Sequence, residues 1–145
     1  MDTTNKEIRI IIAGGRSFND YQTLKAESLK AITAIVKEVT GQSKVKKEYI
    51  TIVSGSASGA DTLGEQFANE FSLNLKCFPA NWDRYGRRAG YMRNVEMAEF
   101  ASDKENGMAY GALIAFWDGK SKGTKHMIDT AKKAKMDVHI ISYET

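Results

Sequence analysis

The 145 residues are 42% apolar and 27% charged, a globular balance that excludes a disordered chain. Lys and Arg number 21 against 18 Asp and Glu, a net charge of +3. This suits an anionic ligand and argues against nucleic acid unless the charge is focused on one face. A single cysteine, Cys77, excludes an internal disulfide, and its apolar neighbours predict a buried thiol in a reducing compartment. Residues 1–7 are polar and lack the apolar core of a signal peptide, and no apolar run reaches membrane-spanning length. The expectation is one cytoplasmic domain over 1–145, with no membrane contact.

Residues 8–13, Ile-Arg-Ile-Ile-Ile-Ala, are almost continuously apolar and β-branched, which predicts a strand covered on both faces. It ends in Gly14-Gly15-Arg16-Ser17, a turn that gathers backbone amides and one guanidinium. Asn19 or Asp20 caps a helix over 21–40, with Leu29, Ile32, Val36 and Val39 on its inner face and Gly41 at its stop. Residues 42–48 read as a solvated, lysine-bearing loop. Residues 49–53 form the second strand. The stretch Ser54-Gly55-Ser56-Ala57-Ser58-Gly59-Ala60-Asp61 then leads into a helix to Phe71, with Leu63, Phe67 and Phe71 inward. Gly55 and Gly59 permit positive φ and close backbone approach. The free amides and dipole of the helix start make this turn a seat for an anion, most often a phosphate. A tight turn with a serine N-cap fits the same residues. The stretch is neither a Walker loop nor Gly-x-Gly-x-x-Gly.

Residues 73–78 form the third strand, stopped by Pro79, the only proline. The polar segment 81–90 follows, and then a helix over 91–102. Arg93 and Asn94 fall in its first turn, where the dipole disfavours a cation. A bound anion accounts for that arginine; a surface arginine without a role is the plainer alternative. Residues 112–116 form the fourth strand, ending in Trp117-Asp118-Gly119-Lys120-Ser121-Lys122-Gly123-Thr124. Thr124 caps a helix to 135 with Met127, Ile128, Ala131 and Ala134 inward, and 138–141 form the last strand.

Five strands alternating with helices specify an α/β protein, a single Rossmann-like three-layer sandwich on a five-stranded parallel sheet ordered 3-2-1-4-5. Ligands bind such sheets at the carboxyl ends of the strands. There the candidates meet: Gly14, Gly15, Arg16 and Ser17; Gly55, Ser56, Ala57, Gly59, Ala60 and Asp61; Trp82, Arg88, Arg93 and Asn94; and Trp117, Asp118, Gly119, Gly123 and Thr124. Arg16, Arg88 and Arg93 are expected on phosphate. Trp82 and Tyr85 are placed to stack on a base, while Trp117 fits a stack or the core equally. Asp61 is either a first-turn acid favoured by the dipole, an acceptor for a ribose hydroxyl, or a general base, and it is the one catalytic candidate. His126 and His139 lack metal-ligand spacing, so no metal is expected. The helix over 91–102 carries Val95 and Ala98 on one face and Tyr91, Met97, Phe100 and Ala101 on others, which predicts burial on both sides, as in a two-fold homodimer. Packing under the loop at 106–108 is the alternative.

These motifs, in this order, resemble the SLOG superfamily. The residues that carry the likeness are Gly14-Gly15-Arg16, residues 54–61, Pro79-Ala80-Asn81-Trp82, Gly86 with Arg88-Ala89-Gly90, Arg93-Asn94, and the run from Ala115-Phe116 to Gly123-Thr124. Within the superfamily the chain is most similar to the YspA-type, cpYpsA-related branch of phages and bacteria, over residues 8–141. The resemblance implies a Rossmann-like, dimeric fold that binds nucleotides or their derivatives. A related branch contains phosphoribohydrolases with the signature Pro-Gly-Gly-x-Gly-Thr-x-x-Glu. Here Gly123-Thr124 matches, but Met127 stands in place of the glutamate and the preceding loop lacks the proline, which argues against that activity. Another branch binds single-stranded DNA, and others sense NAD-derived or ADP-ribose-like signals. The expectation is a module that senses or sequesters a nucleotide-type ligand, with no further cofactor. An enzyme that cleaves the N-glycosidic or phosphate bond of such a ligand is the alternative. A single-stranded nucleic-acid binder is a second one, which the modest charge disfavours.

Overall fold

Strand β1 (Glu7–Gly14) lies at the centre of a sheet, and its sequence explains why. Ile8, Ile10 and Ile12 pack on one face and Ile11 and Ala13 on the other, the two-residue alternation of a strand covered twice. The computed structural model describes residues 6–42 and 44–144. In chain order the further elements are α1 (Tyr21–Thr40), β2 (Ile50–Ser54), α2 (Ala60–Glu70), β3 (Asn74–Cys77), the single turn α3 (Trp82–Tyr85), α4 (Ala89–Ala101), β4 (Ala109–Trp117), α5 (Lys122–Lys133) and β5 (Asp137–Ser142). The strands are all parallel in the order β3-β2-β1-β4-β5, as the alternation of elements predicts. Residues 1–5 of the polar N-terminal stretch, Ser43 of the lysine-bearing loop and Thr145 lie outside the described residues.

Helices α1 and α2 cover one face through Leu24, Ile35 and Phe67, and α4 and α5 cover the other through Met97, Ala98, Met127 and Ile128. The Asp20 carboxylate starts α1, accepting from the Thr23 amide at 3.1 Å, and Gly41 ends it at φ 73°. β1 and β4 stay in register from Glu7↔Ala109 to Gly14↔Phe116, which sets their carboxyl ends side by side. Among the described residues, no helix is long and apolar enough to cross a membrane.

Several local expectations need correction. Leu29 is 39% exposed, because the inner stripe of α1 runs through Leu24, Ser28, Ala31, Ile32, Ile35 and Val36. Cys77 is exposed rather than buried, since β3 is a short edge strand paired only with β2 and all four of its residues face solvent. Ala134 is exposed past the end of α5. Ser121, not Thr124, caps α5, its hydroxyl accepting from the Thr124 amide at 3.4 Å. β4 begins at Ala109, three residues early, because Gly111 lets it pass the end of α4, where a Cβ would lie 2.6 Å from the Ala101 carbonyl oxygen. Helix α4 is not apolar all round. Met97, Ala98 and Ala101 are buried, and only Tyr91 and Val95 are large apolar residues exposed along it, among Glu96 and Glu99.

The two sides of α1 give a direct check by urea denaturation. Ile35→Ala, at a fully buried position, lowers stability by about 2–5 kcal/mol. Leu29→Ala costs less than about 1 kcal/mol, because Leu29 is already exposed to water.

Candidate functional site

A cavity of about 210 Å³ opens at the carboxyl ends of β1, β2 and β4, floored by Ala13 and Gly14 and walled by the starts of α2, α4 and α5. Two turns meet to form it. The Gly15 carbonyl oxygen accepts from the amides of Phe18 and Ala60, both at 3.2 Å, which ties the turn after β1 to the first residue of α2. Gly59, at φ 79°, makes that approach possible, because a Cβ there would strike the carbonyls of Gly15 and Arg16.

The turn between β2 and α2 was expected to offer its amides to a ligand anion. In the structure three of those amides serve the protein's own groups. The Ser56 amide donates to Ser54 Oγ at 3.0 Å, the Ala57 amide to Asp61 Oδ2 at 3.2 Å, and the Ala60 amide to Gly15. The hydroxyls of Ser54 and Ser56 are spent as well. Ser54 Oγ donates to Glu65 Oε2 at 2.7 Å and Ser56 Oγ to the same oxygen at 3.1 Å, which holds Ser56 at φ 58°. Asp61 thus sets the protein's own carboxylate at this helix start, on the Ala57 amide.

Asp61 is 4% exposed. Burial pushes its carboxyl up to about 6, against the opposing pull of the Ala57 amide and the Arg93 charge. Arg93, half-buried in the first turns of α4, donates from Nη1 to the Gly55 carbonyl at 2.5 Å and from Nε to Asn94 Oδ1 at 3.2 Å. Burial pulls its guanidinium below the ordinary value, and the Arg16 charge adds to this. A Cβ on Gly55 would lie 2.6 Å from Arg93 Nη1 and 2.8 Å from Asp61 Oδ2. Glycine at this position thus admits both charges.

Asn94, 5% exposed, links this pair to α5: its Nδ2 donates to the Gly123 carbonyl at 3.4 Å and to His126 Nδ1 at 3.1 Å. An accepting Nδ1 places the ring proton on Nε2 of a neutral histidine. Burial favours that form by pulling His126 below its ordinary value. Tyr91 stacks on His126 with ring centroids 4.3 Å apart. At the mouth, the Arg16 guanidinium lies over the Trp82 ring, 5.6 Å from its centroid, and Trp82 is 49% exposed.

Nine of the residues predicted from sequence line the cleft: Gly14, Arg16, Ala57, Asp61, Trp82, Arg93, Asn94, Gly123 and Thr124. Gly15, Gly55, Ser56, Gly59 and Ala60 stand behind the lining and shape the turns, as described above. Trp117 packs on the core beside α5 and donates from Nε1 to the Ser121 carbonyl at 3.0 Å. Asp118 Oδ1 holds the same turn through the amides of Lys120 and Ser121, both at 2.8 Å, with Gly119 at φ 82°. Ser17 lines a separate hollow with Phe18 and Tyr143. Arg88 is exposed on the turn before α4, and Arg87 lines the cleft instead. In a loop without periodicity, the sequence gives no phase to choose between adjacent arginines. Tyr85 lies outside the cleft, with Arg84 over its ring. Sequence reasoning also missed Ala13, Gly90, Tyr91, Met97, Ser121 and Met127 as lining residues. Tyr91 and Met127 carried a usable signal, since both sit near the start of a helix that opens on the sheet's carboxyl edge. Among the described residues, no group of three His, Cys, Asp or Glu side chains is placed to hold a metal.

The Asp61 carboxyl makes stability depend on pH. It is pushed up to about 6 in the folded chain, against 3.8 for an ordinary aspartate. Between those limits the native state holds a proton that the unfolded chain has lost, so stability falls as pH rises through this window and levels off above it. The drop is on the order of 2–3 kcal/mol. Asp61→Asn removes that slope in urea titrations run from pH 4 to pH 7, and an unchanged slope would assign it elsewhere.

Three comparisons with known proteins bear on this geometry. Residues 8–85, more than half of the chain, match the family model described as YspA, cpYpsA-related SLOG family. The chain is 27% identical over 136 residues to the Gene 61 protein of Mycobacterium phage D29, covering 90% of this chain and 93% of that protein. Among solved structures it is similar to DNA processing protein A from Streptococcus pneumoniae, with a TM-score of 0.59 and 17% identity. That likeness covers 98% of this chain and 52% of the other, so the chain spans about half the length of that protein. At this identity it bears on the fold alone, which is Rossmann-like in both.

Proposed function

We propose, from the premise that the chain belongs to the YspA, cpYpsA-related SLOG family, that its cleft binds a nucleotide or nucleotide-derived ligand and serves as a sensing or sequestering module. The observation that carries this reading is Arg93. A half-buried guanidinium that burial destabilises sits in the wall of a cleft, held by a carbonyl and an amide oxygen. Among the described residues, no carboxylate pairs directly with it. An anionic ligand would supply the missing charge, and Arg16 and Arg87 at the mouth would share it. Trp82, half-exposed at the rim, offers a face for a base. The enclosed volume of about 210 Å³ falls below the roughly 300–1,000 Å³ of drug-sized pockets, which suits a ligand only partly enclosed.

Calorimetry with nucleoside monophosphates, ADP-ribose and NAD tests the reading. At least one binds, and Arg93→Ala weakens that binding by about 1.5–3 kcal/mol. Arg87→Ala weakens it in the same direction, while Arg88→Ala leaves it within about twofold, since Arg88 stands outside the cleft. No binding across the panel would defeat the proposal.

A second reading is favoured by Asp61, whose carboxyl is poised near 6 in the cleft, a value suited to general acid or base work on the N-glycosidic bond. Met127, fully buried where the hydrolase signature places its glutamate, weighs against it. Incubation with the four nucleoside monophosphates, followed by chromatography, separates the two. The binding module leaves them intact. Release of free base that is lost in Asp61→Asn would establish the enzyme.

A further inference from the structure

We infer that the inner end of the cleft takes the vicinal hydroxyls of a sugar, with Asp61 as their acceptor, so that a bound nucleotide enters ribose first and leaves its phosphate at the mouth. The inference rests on the reading of the cleft as a nucleotide site and adds the orientation of the ligand. The hydrogen-bond inventory of the turn after β2 leads to it. Three of the amides that a phosphate at the start of α2 would use, those of Ser56, Ala57 and Ala60, are already bonded to Ser54 Oγ, Asp61 Oδ2 and the Gly15 carbonyl, and the Asp61 carboxylate stands among them. What this turn presents to the cleft is a carboxylate. Asp61 lines the cavity while 4% exposed, and only its Oδ2 is engaged among the described residues. An ionised carboxylate accepts and cannot donate. Its open oxygen is satisfied by hydroxyl donors, and a second anion beside it is opposed by like charge.

The charges around Asp61 fit the same orientation. Glu65, behind the turn, adds negative potential at the carboxyl, while Arg93 and Arg16 oppose it. Arg93, in the cleft wall, draws the ligand's anionic group into the cleft, and the Asp61 carboxylate keeps that group off the turn after β2 by like charge. Further positive charge lies on Arg16 and Arg87, both exposed at the mouth. A 5′-phosphate placed there meets two guanidiniums, and a 2′,3′-diol placed at Asp61 supplies two donors to one acceptor group. The ligand class that fits is a nucleotide with both ribose hydroxyls free.

Calorimetry at pH 7.5 with AMP, GMP, CMP and UMP, each beside its 2′,3′-dideoxy counterpart, tests the orientation. The wild type binds at least one ribonucleotide, and its dideoxy counterpart binds at least tenfold more weakly. Asp61→Asn turns an amide NH₂ toward the cleft in place of the open acceptor, and the discrimination shrinks to within about threefold. Equal binding of the ribo and dideoxy forms by the wild type overturns the inference while leaving the nucleotide reading intact, and that comparison needs no variant. Full discrimination retained in Asp61→Asn overturns the role of Asp61. Binding of none of the four ribonucleotides overturns the orientation, and the reading beneath it falls as well only if ADP-ribose and NAD also fail to bind.

Discussion

Gly55 has no side chain, and the space it leaves is where a guanidinium and a carboxylate come together. Arg93 and Asp61 both reach within 3 Å of where its Cβ would stand. Each pays for burial in the way physics requires, the carboxyl drawn toward its neutral form and the arginine stripped of water. The rest of the site is arranged to hold these two groups. Ala57 fixes the carboxylate, Asn94 and the Gly55 carbonyl fix the guanidinium, and Glu65 pins the two serines that shape the turn between them.

The same contacts explain why the sheet carries the site where it does. β1 and β4 run in register to Gly14 and Phe116, so the turns that follow them start level with each other. The Gly15 carbonyl then ties the first turn to α2, and Asn94 ties α4 to the start of α5. Four elements are joined by hydrogen bonds around one cavity, while the hydrophobic layers on both sheet faces keep them from separating. Asn94 also bonds His126, whose ring stacks on Tyr91 of the cleft lining, which makes that stack a support of the site wall rather than an isolated surface feature.

Much of this was legible in the sequence, and the reasons are specific. The strand order followed from alternating elements, and the run Ile10-Ile11-Ile12 announced a strand buried on both faces. Glycine-rich turns at strand ends marked the correct edge of the sheet. What the sequence hid was the direction of hydrogen bonds inside a turn. Ser54, Ser56 and Asp61 read equally well as ligands for an incoming anion or as partners for their own backbone, and only the coordinates distinguish the two. The phase of the Arg87-Arg88 pair was hidden for want of periodicity. Cys77 misled because an apolar run at the edge of a sheet looks like one in the centre, and α4 misled because Met97, Ala98 and Ala101, which share one core cluster, read as lying on different faces.

The central claim is that this cleft, and not another surface, receives the ligand. Two-dimensional amide NMR of the isotopically labelled protein, titrated with the nucleotide that calorimetry selects, addresses it most directly. The account predicts the largest shifts at the amides of Gly14, Ala57, Arg93 and Gly123, together with the Arg93 side-chain Nε–H. Shifts confined to the outer groove between α4 and α5, around Val95 and Lys133, with the cleft amides unmoved, would contradict it.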